Sequence, residues 1–576
     1  MKLPTETLVE IFIPASEPDT YYSDAYSEWA FPADVEKWLP ITLTCRHWRS
    51  VACGTPSLWR TIKVCRDIRW LDLALPRSRN MNVDILFSSP DIVPDAVGLL
   101  IKHACRIRRL FFVNPSTSSY HALTKLLRVP LPALEEVMYH YGVHAGTRAS
   151  TRAGFDLHPA LFPSLNTFRC GSVQINWEAP MVQWLTRISI MDAPMLHSSF
   201  TFDKFLTVLQ RCAGGALRHL ELYNSLPFYD NEYYTVREPF ESIRLVNLPK
   251  LESLSLLHNK PTPIKALLSH LHLSPAVNLT VYLDGYVGEG SGNARLGLLD
   301  ILPDDALCLP IYERAKMASI SAERMSGSSM DYIKIHSTDE WMGGQLDVTL
   351  AIECDDTLAW EYSVDDALRD FSELFGPSEL TSLQLGVHDT DLDSPKHNFT
   401  DTDLLALFET FPSITTLALH GNGADRAKAL LNALQTYRAP CPPNTHAALD
   451  AAGPSITHNS DRRTRILPNL RELRFKHLSW SADLVQCLER CLNERKRTSG
   501  VGLEYLCLEL IGQPQVLATQ CVYGRATRNL EGVVETEVRV EGADMECCVF
   551  EVSLSYRRSI ADPLTCIVLQ ELVPLR

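Results

Sequence analysis

Apolar residues recur in two distinct patterns along the chain. In the first, Leu3 and Pro4 open a segment in which Leu8, Ile11 and Phe12 follow at i, i+3 and i+4. Proline suits the first turn of a helix, and this spacing makes one apolar stripe, so a short amphipathic helix is expected, ended by Pro14 and Pro18. Residues 15–34 are polar and aromatic and read as a loop or a loosely packed insertion. A second helix is expected from about Leu39 to Ala52. It would carry Ile41, Cys45, Trp48 and Ala52 on one face and Leu43, His47 and Val51 on the other. Gly54 ends it. Thr55-Pro56 then supplies a cap and a first-turn proline for a third short helix bearing Leu58, Trp59 and Ile62.

Three short helices in so few residues bury roughly 60% of their unfolded surface at best and are marginal alone. Two readings follow. The helices cap the domain behind them, or they form a docking module whose exposed apolar residues are covered by a partner protein.

The second pattern is a phrase repeated after residue 100. It consists of an apolar residue, two variable residues, then Leu-x-Leu or a near equivalent, often led by a proline phrase. Clear copies begin at Leu131, Phe162, Leu217, Leu248, Leu380, Phe411, Leu467 and Leu503, with weaker ones at Ile107 and Leu185. The alternating part reads as a short strand with one face buried. Helical stretches lie between copies, as at Phe202 to Cys212, Ile264 to Leu271 and Leu404 to Phe411. One strand plus one helix cannot bury its apolar faces alone; stacked neighbours can, which gives a solenoid.

The strands of such a stack form a parallel sheet on the concave side, with helices on the convex side. The variable residue inside each Leu-x-Leu would point outward there: Glu221, Ser255, Gln384, Ala418, Arg474 and Cys507. Glu221, Ser255, Gln384 and Arg474 are the first candidates for contact with a protein target, although their mixed chemistry names no ligand class. Two regions interrupt the period. Residues 285–345 lack a clear copy, and residues 437–465, rich in proline, look like a long mobile loop. Val533 to Val540 and Cys547 to Tyr556 alternate about Gly542-Ala543-Asp544 and read as a hairpin that caps the end. The expected division is a helical module over 1–65, repeats over 66–515 and a β-rich cap over 516–576.

Composition narrows the function. The 576 residues carry 54 basic and 69 acidic side chains, a net charge of −15, which argues against a polyanion partner such as nucleic acid. The tight basic clusters Arg462, Arg463, Arg465 and Arg495, Lys496, Arg497 read as solvated loop charges. Sixteen cysteines occur without a single CxxC, so paired zinc knuckles are absent and buried reduced thiols are expected. Cys487 and Cys491 would share a helix face. Free thiols point to a reducing compartment. Pro4 and Glu6 stand where a signal peptide needs apolar residues, and no run of 18 apolar residues occurs, so a cytoplasmic or nuclear location is expected.

Candidate chemistry fails on spacing. Gly288-x-Gly290-x-Gly292 lacks the dinucleotide pattern and its strand–helix frame. Asp389-x-Asp391-x-Asp393 begins like a calcium loop, but Ser394 and Thr400 stand where glycine and a bidentate glutamate are needed. No phosphate-binding loop, zinc-protease or nucleophile-elbow motif occurs. No catalytic residue, metal or cofactor is expected, and no membrane or nucleic-acid partner.

The first pattern carries a resemblance. Leu3-Pro4-x-Glu6-x-Leu8-x-x-Ile11-Phe12 resembles the opening of an F-box, and Leu43-x-Cys45-Arg46-x-Trp48-Arg49-x-x-Ala52 its middle helix. Thr55-Pro56-x-Leu58-Trp59 resembles its closing segment, particularly as found in F-box proteins of mushroom-forming fungi. The stretch from Ile13 to Lys37 is longer than the compact family pattern. The repeated phrase resembles the leucine-rich repeat. Its anchors, Leu134 to Leu165, Leu217 to Leu251, Leu380 to Ile414 and Leu470 to Leu503, stand 31, 34, 34 and 33 apart, which longer convex helices would explain.

These resemblances imply an α/β fold: a short all-α F-box module, an irregular leucine-rich-repeat solenoid and a β-rich C-terminal cap. They imply docking onto the Skp-type linker of a cullin–RING ubiquitin ligase. Carried over by position, the contact surface would use Leu3, Pro4, Leu8, Ile11 and Phe12, then Leu43, Cys45 and Trp48, then Leu58 and Trp59. Some of these must instead hold the module together, Trp48 foremost. The expected role is a non-catalytic adaptor that brings a protein substrate to the ligase. The alternative is a repeat scaffold without a ligase role, in which the first helices are only a cap.

Overall fold

A computed structural model describes residues 3–16, 19–21, 31–33, 37–64, 67–87, 93–113, 117–140, 158–171, 176–191, 201–226, 245–284, 297–324, 330–339, 343–353, 362–388, 399–421, 423–435, 437–438, 464–479, 482–499, 503, 505–512, 537–542 and 550–557. The chain divides into two compact units, Met1–Val281 and Tyr282–Arg576.

Unit 1 opens with helix α1 (Thr5–Ser16) and two short strands, β1 (Asp19–Tyr21) and β2 (Phe31–Ala33), paired antiparallel. The polar, aromatic stretch read as a loop therefore contains a small ladder. The single helix expected over residues 39–52 is two, α2 (Ile41–Thr44) and α3 (Arg46–Gly54). Cys45 separates them in extended conformation, and its Sγ accepts the Trp48 amide at 3.4 Å, capping α3. The third helix is a single 3-10 turn, Pro56–Trp59. Ile62, assigned to that helix from sequence, instead lies in strand β3 (Thr61–Val64).

From β3 onward the unit alternates. Helix α4 (Ile68–Arg77) precedes β4 (Val83–Phe87), α5 (Val93–Ile101) precedes β5 (Ile107–Val113), and α6 (Thr117–Leu126) precedes β6 (Glu136–His140). Strands β7 (Thr167–Gly171) and β8 (Arg187–Met191) follow, then α7 (Phe202–Ala213) and β9 (His219–Tyr223). A short parallel pair, β10 (Val246–Asn247) and β12 (Leu271–His272), flanks β11 (Ser253–Leu257) and α8 (Pro261–Ser269). The eight strands β3 to β9 and β11 form one parallel sheet, β3 to β9 pairing in sequence order and β9 pairing past β10 with β11. Strand β13 (Asn278–Asp284) follows, its first amide donating to the Glu252 carbonyl.

Unit 2 contains α9 (Ile311–Arg314) and three long strands, β14 (Met317–Arg324), β15 (Met330–Thr338) and β16 (Gln345–Glu353), paired as an antiparallel meander. This meander accounts for the missing repeat phrase over 285–345. Helix α10 (Val364–Phe375), β17 (Ser382–His388), α11 (Asp401–Thr410), β18 (Thr416–His420) and α12 (Ala424–Gln435) resume the alternation. Two short strands, β19 (Tyr437–Arg438) and β20 (Thr464–Arg465), pair antiparallel; the proline-rich stretch between them, expected to be a mobile loop, lies outside the described residues. Then come β21 (Glu472–Ser479), α13 (Ala482–Ser499) and β22 (Tyr505–Gly512). Strands β14, β17, β18, β21 and β22 run parallel in that order. Strands β23 (Glu537–Gly542) and β24 (Phe550–Arg557) form the expected hairpin pair, and β24 joins β22 antiparallel. The turn at Ala543-Asp544 lies outside the described residues, as do the Gly288 and Asp389 motifs.

The repeated phrase has a local cause. In Leu131 to Leu134, Phe162 to Leu165, Leu248 to Leu251, Phe411 to Ile414 and Leu467 to Leu470, the fourth amide donates to the first carbonyl at 3.1–3.4 Å, closing a turn. The following residue then enters the ladder: Glu252 donates to Arg218, Thr415 to Thr381 and Arg471 to Thr415. Alternate side chains such as Leu220, Leu222, Leu254 and Leu256 in unit 1, or Leu383, Leu385, Leu417 and Leu419 in unit 2, are fully buried. Arg495, read from sequence as a solvated charge, is buried in α13 and donates to the Leu467 carbonyl at 2.9 Å. The long side chain serves as a staple because the turn carbonyls of 466–467 need donors.

Candidate functional site

The helical module sorts its apolar residues into two sets. Leu8 and Phe12, one turn apart on α1, are fully buried, and the Phe12 ring meets Trp48 of α3 at 5.3 Å. Leu58 and Trp59 of the 3-10 turn are buried as well. Trp59 is a hub: its Nε1 donates to the Ala52 carbonyl at 3.0 Å, and its ring packs edge-on against Trp38 at 5.0 Å. On its other side stand Trp70 at 5.4 Å and the Arg77 guanidinium at 4.5 Å, both from α4. Thr55 ties this turn to α3 by donating to the Val51 carbonyl. The structure therefore places four of the ten proposed contact residues, Leu8, Phe12, Leu58 and Trp59, inside the module. The reason is size: a domain this small needs its largest rings for its own core. Trp48 is half-buried between the two roles.

The second set faces outward. Leu43 is 75% exposed, Ile11 49% and Leu3 48%, and Pro4 and Cys45 are exposed. Pro4 and Ile11 are seven residues apart, two helical turns, and so project on one side of α1. Leu43 stands on α2, a helix of four residues without a buried side chain. Exposed leucine and isoleucine on such short helices gain nothing for the free chain. Sequence reasoning missed Trp38 and Trp70. Neither sits in a periodic stripe, and each is recruited by the tertiary position of Trp59.

The sheet faces hold the other candidates. Register aligns Leu86, Phe111, Met138, Arg169, Ser189, Glu221 and Ser255 across unit 1 on the face opposite the buried leucines. Leu86, Phe111, Met138 and Met191 form a buried apolar cluster on it, with Tyr223 packed alongside. Glu221, expected to point into solvent, is only 6% exposed. Ser255 is half-buried. A hint was present in sequence: Val83 to Phe87 is a nearly continuous apolar run, the mark of a strand buried on both faces.

In unit 2 the equivalent face is partly exposed. Register aligns Asp347, His336, Ser319, Gln384, Ala418, Arg474 and Cys507, and beside them Thr349, Lys334, Ser321, Gly386, His420 and Lys476. Gln384 is half-buried and lies 3.4 Å from His420 Nδ1. The Arg474 guanidinium pairs with Glu472 at 2.6 Å and lies over the Tyr505 ring. Ala418 and Cys507, expected to point outward, are buried. His336 pairs with Asp347 at 2.5 Å, and that hydrogen bond raises the imidazole pKa. Among the described residues no group of His, Cys, Asp and Glu could hold a metal ion, and no helix is long and apolar enough to cross a membrane. Cys170, Cys212, Cys308, Cys487, Cys491 and Cys507 are buried, and burial pushes the Cys212 thiol up to about 11.

Comparison with known proteins bears on the helical module. No curated protein matches the sequence. The F-box-like family model matches residues 1–65, ending within two residues of strand β3. The chain thus carries an F-box-like domain, of the class that binds Skp-type linkers of cullin–RING ubiquitin ligases.

Proposed function

We propose that this protein is the substrate-recruiting subunit of a Skp–cullin–F-box ubiquitin ligase. Helices α1 and α2 dock the linker through Leu3, Pro4, Ile11 and Leu43, with Cys45 and Trp48 at the edge. The strand–helix array, read as an irregular leucine-rich-repeat solenoid ending in a β-rich cap, holds the target. The gain is effective concentration: a tethered target meets the ubiquitin carrier at far higher local concentration than a free one. The adaptor performs no chemistry itself.

The observation that carries this reading is the exposed apolar set on an F-box-like domain. A mere cap would bury those residues against the first strand–helix unit. Instead the buried link to that unit is Trp59, through Trp70 and Arg77, which leaves Leu3, Ile11 and Leu43 outside. Co-expression with a Skp-type linker tests the proposal. Co-purification of the two is expected, and its loss on Ile11→Asp with Leu43→Asp. Failure of the wild-type chain to retain the linker would leave the scaffold reading in its place.

A further inference from the structure

Charge is distributed unevenly along the chain. Its net charge is −15, yet residues 37–134 carry 15 Lys and Arg against 5 Asp and Glu. Residues 96–134, from within α5 to the turn before β6, contain no Asp or Glu at all. The excess gathers at one place in the fold. Helix α5 packs between α4 and α6, and each of the three leads into its own strand of the parallel ladder β4, β5 and β6. Their C-termini therefore lie together, at the end of the sheet where these strands begin.

Two ties fix that end. The buried Arg106 guanidinium donates to the Leu75 carbonyl at 2.5 Å, the Ser78 hydroxyl at 2.7 Å and the Arg79 carbonyl, which fastens the close of α4 to the turn after α5. The Glu135 amide donates to the Arg108 carbonyl at 2.7 Å, which fastens the entry of β6 to β5. Around these ties Arg79, Lys102, Lys125 and Arg128 are exposed, and Ile101, the last residue of α5, is 39% exposed beside Lys102. None of these four cations has an ion pair among the described residues. The carboxylates of these repeats are engaged or stand elsewhere. Asp67 pairs with Arg69, Asp84 with Arg108, and Glu136 with Arg109 and Arg169. Asp95 lies in the first turn of α5, at its opposite end, and Asp72 on α4 stands seven residues before Arg79. Asp91 lies outside the described residues. Only Glu135 is left at this end, against four cations. The helix dipoles favour a cation at each C-terminus, but they supply no counter-charge for these side chains.

We propose that this end of α4, α5 and α6 docks an acidic segment of a partner protein. Arg79, Lys102 and Arg128, one per helix, span two interhelix spacings, roughly 20 Å, which is the reach of about six extended residues. Carboxylates of the segment meet the four cations, and an apolar side chain of it lies on Ile101. Charge complementarity argues for this occupant, because the cations it meets have no counter-charge of their own. A long polyanion fits less well: residues 282–576 carry 26 Lys and Arg against 44 Asp and Glu, a charge that opposes its approach, whereas a short segment touches only the basic end. The surface is distinct from the linker-docking residues on α1 and α2 and from the sheet faces. It goes beyond the ligase reading and does not depend on it.

The test uses the full chain and a fluorescein-labelled decaglutamate peptide, read by fluorescence anisotropy, with decalysine and a ten-nucleotide oligothymidylate beside it. Saturable binding of decaglutamate is expected, weakened about tenfold by Lys102→Glu with Arg128→Glu, and weakened by salt. The same change of charge made in unit 2, Lys476→Glu with Arg490→Glu, should leave binding unchanged. Far-UV circular dichroism of both variants should match the wild type, because the four side chains are not part of the core. Should the glutamate pair disturb folding, Lys102→Gln with Arg128→Gln takes its place, with about threefold weaker binding expected. Absence of decaglutamate binding by the wild type would overturn the inference, as would equal weakening by the unit 1 and unit 2 variants. So would tighter binding of decalysine or of the oligothymidylate. Linker co-purification is a separate arm: its loss with decaglutamate binding intact sinks the ligase reading alone, and the converse sinks this inference alone.

Discussion

Replacing Asn259 by alanine should destabilise unit 1 by about 3 kcal/mol. The side chain is 4% exposed and uses its whole amide. Oδ1 accepts from the Ser225 and Leu226 amides, each at 2.9 Å, and Nδ2 donates to the carbonyls of Leu222 at 2.6 Å and Leu257 at 3.1 Å. It thereby turns the chain out of β9 and ties that exit to β11. Alanine strands two buried amides, each worth about 1–3 kcal/mol when left unsatisfied. Entry of water into the vacated space recovers part, which brings the sum to about 3 kcal/mol. Asn259→Asp keeps the acceptor but cannot donate to two carbonyls while ionised, so it should not rescue. Urea unfolding followed by far-UV circular dichroism measures the loss as a midpoint shift at constant slope. Hydrogen exchange over residues 219–226 should accelerate in parallel. A loss below about 1 kcal/mol, or full stability in Asn259→Asp, would refute the reasoning that this amide is the strand-exit clamp.

Three further outcomes follow from the same structure. The Asp365 carboxyl is pushed up to about 6, by burial first and then by Asp403 and Asp366. Because its folded value lies above the unfolded one, its ionisation costs stability as pH rises from about 4 through 6, so Asp365→Asn should raise the melting temperature at pH 8 and not at pH 3.5. A Cβ at Gly297 would sit 2.5 Å from Asp370 Oδ2, which already accepts from the Leu298 amide and the Tyr362 hydroxyl; Gly297→Ala should lower the melting temperature, and Asp370→Asn with it should not restore the wild-type value. Phe12→Ala removes a fully buried ring packed at a tilt against Trp48 and should cost about 3–5 kcal/mol in the helical module, seen as faster proteolysis of residues 1–65, whereas Ile11→Asp should leave proteolysis unchanged.

The parts of the fold that were readable in sequence are those with a local cause. The turn from Leu467 to Leu470 and the alternation of Leu473 and Phe475 are fixed by neighbouring residues, so the phrase marks its strand wherever it occurs. Strand β4 escaped because Val83 to Phe87 is buried on both faces and shows no alternation. The break at Cys45 escaped because a thiol cap looks, in sequence, like any helical cysteine. Burial at Glu221 and Arg495 depends on residues far along the chain, and no spacing rule announces it. The same logic split the docking residues. The heptad-like spacing put Leu8, Ile11 and Phe12 on one stripe, but only the position of Trp48 and Trp59 decides which of them turn inward.

Linker docking requires a face that is exposed in the free chain and distinct from the core beneath it. Isothermal titration of a Skp-type linker into the full chain tests this most directly, with Ile11→Asp plus Leu43→Asp as the comparison. Saturable binding by the wild type and none by the double variant, at unchanged circular dichroism and melting temperature, is the predicted result. Equal heats from the two proteins would contradict the account.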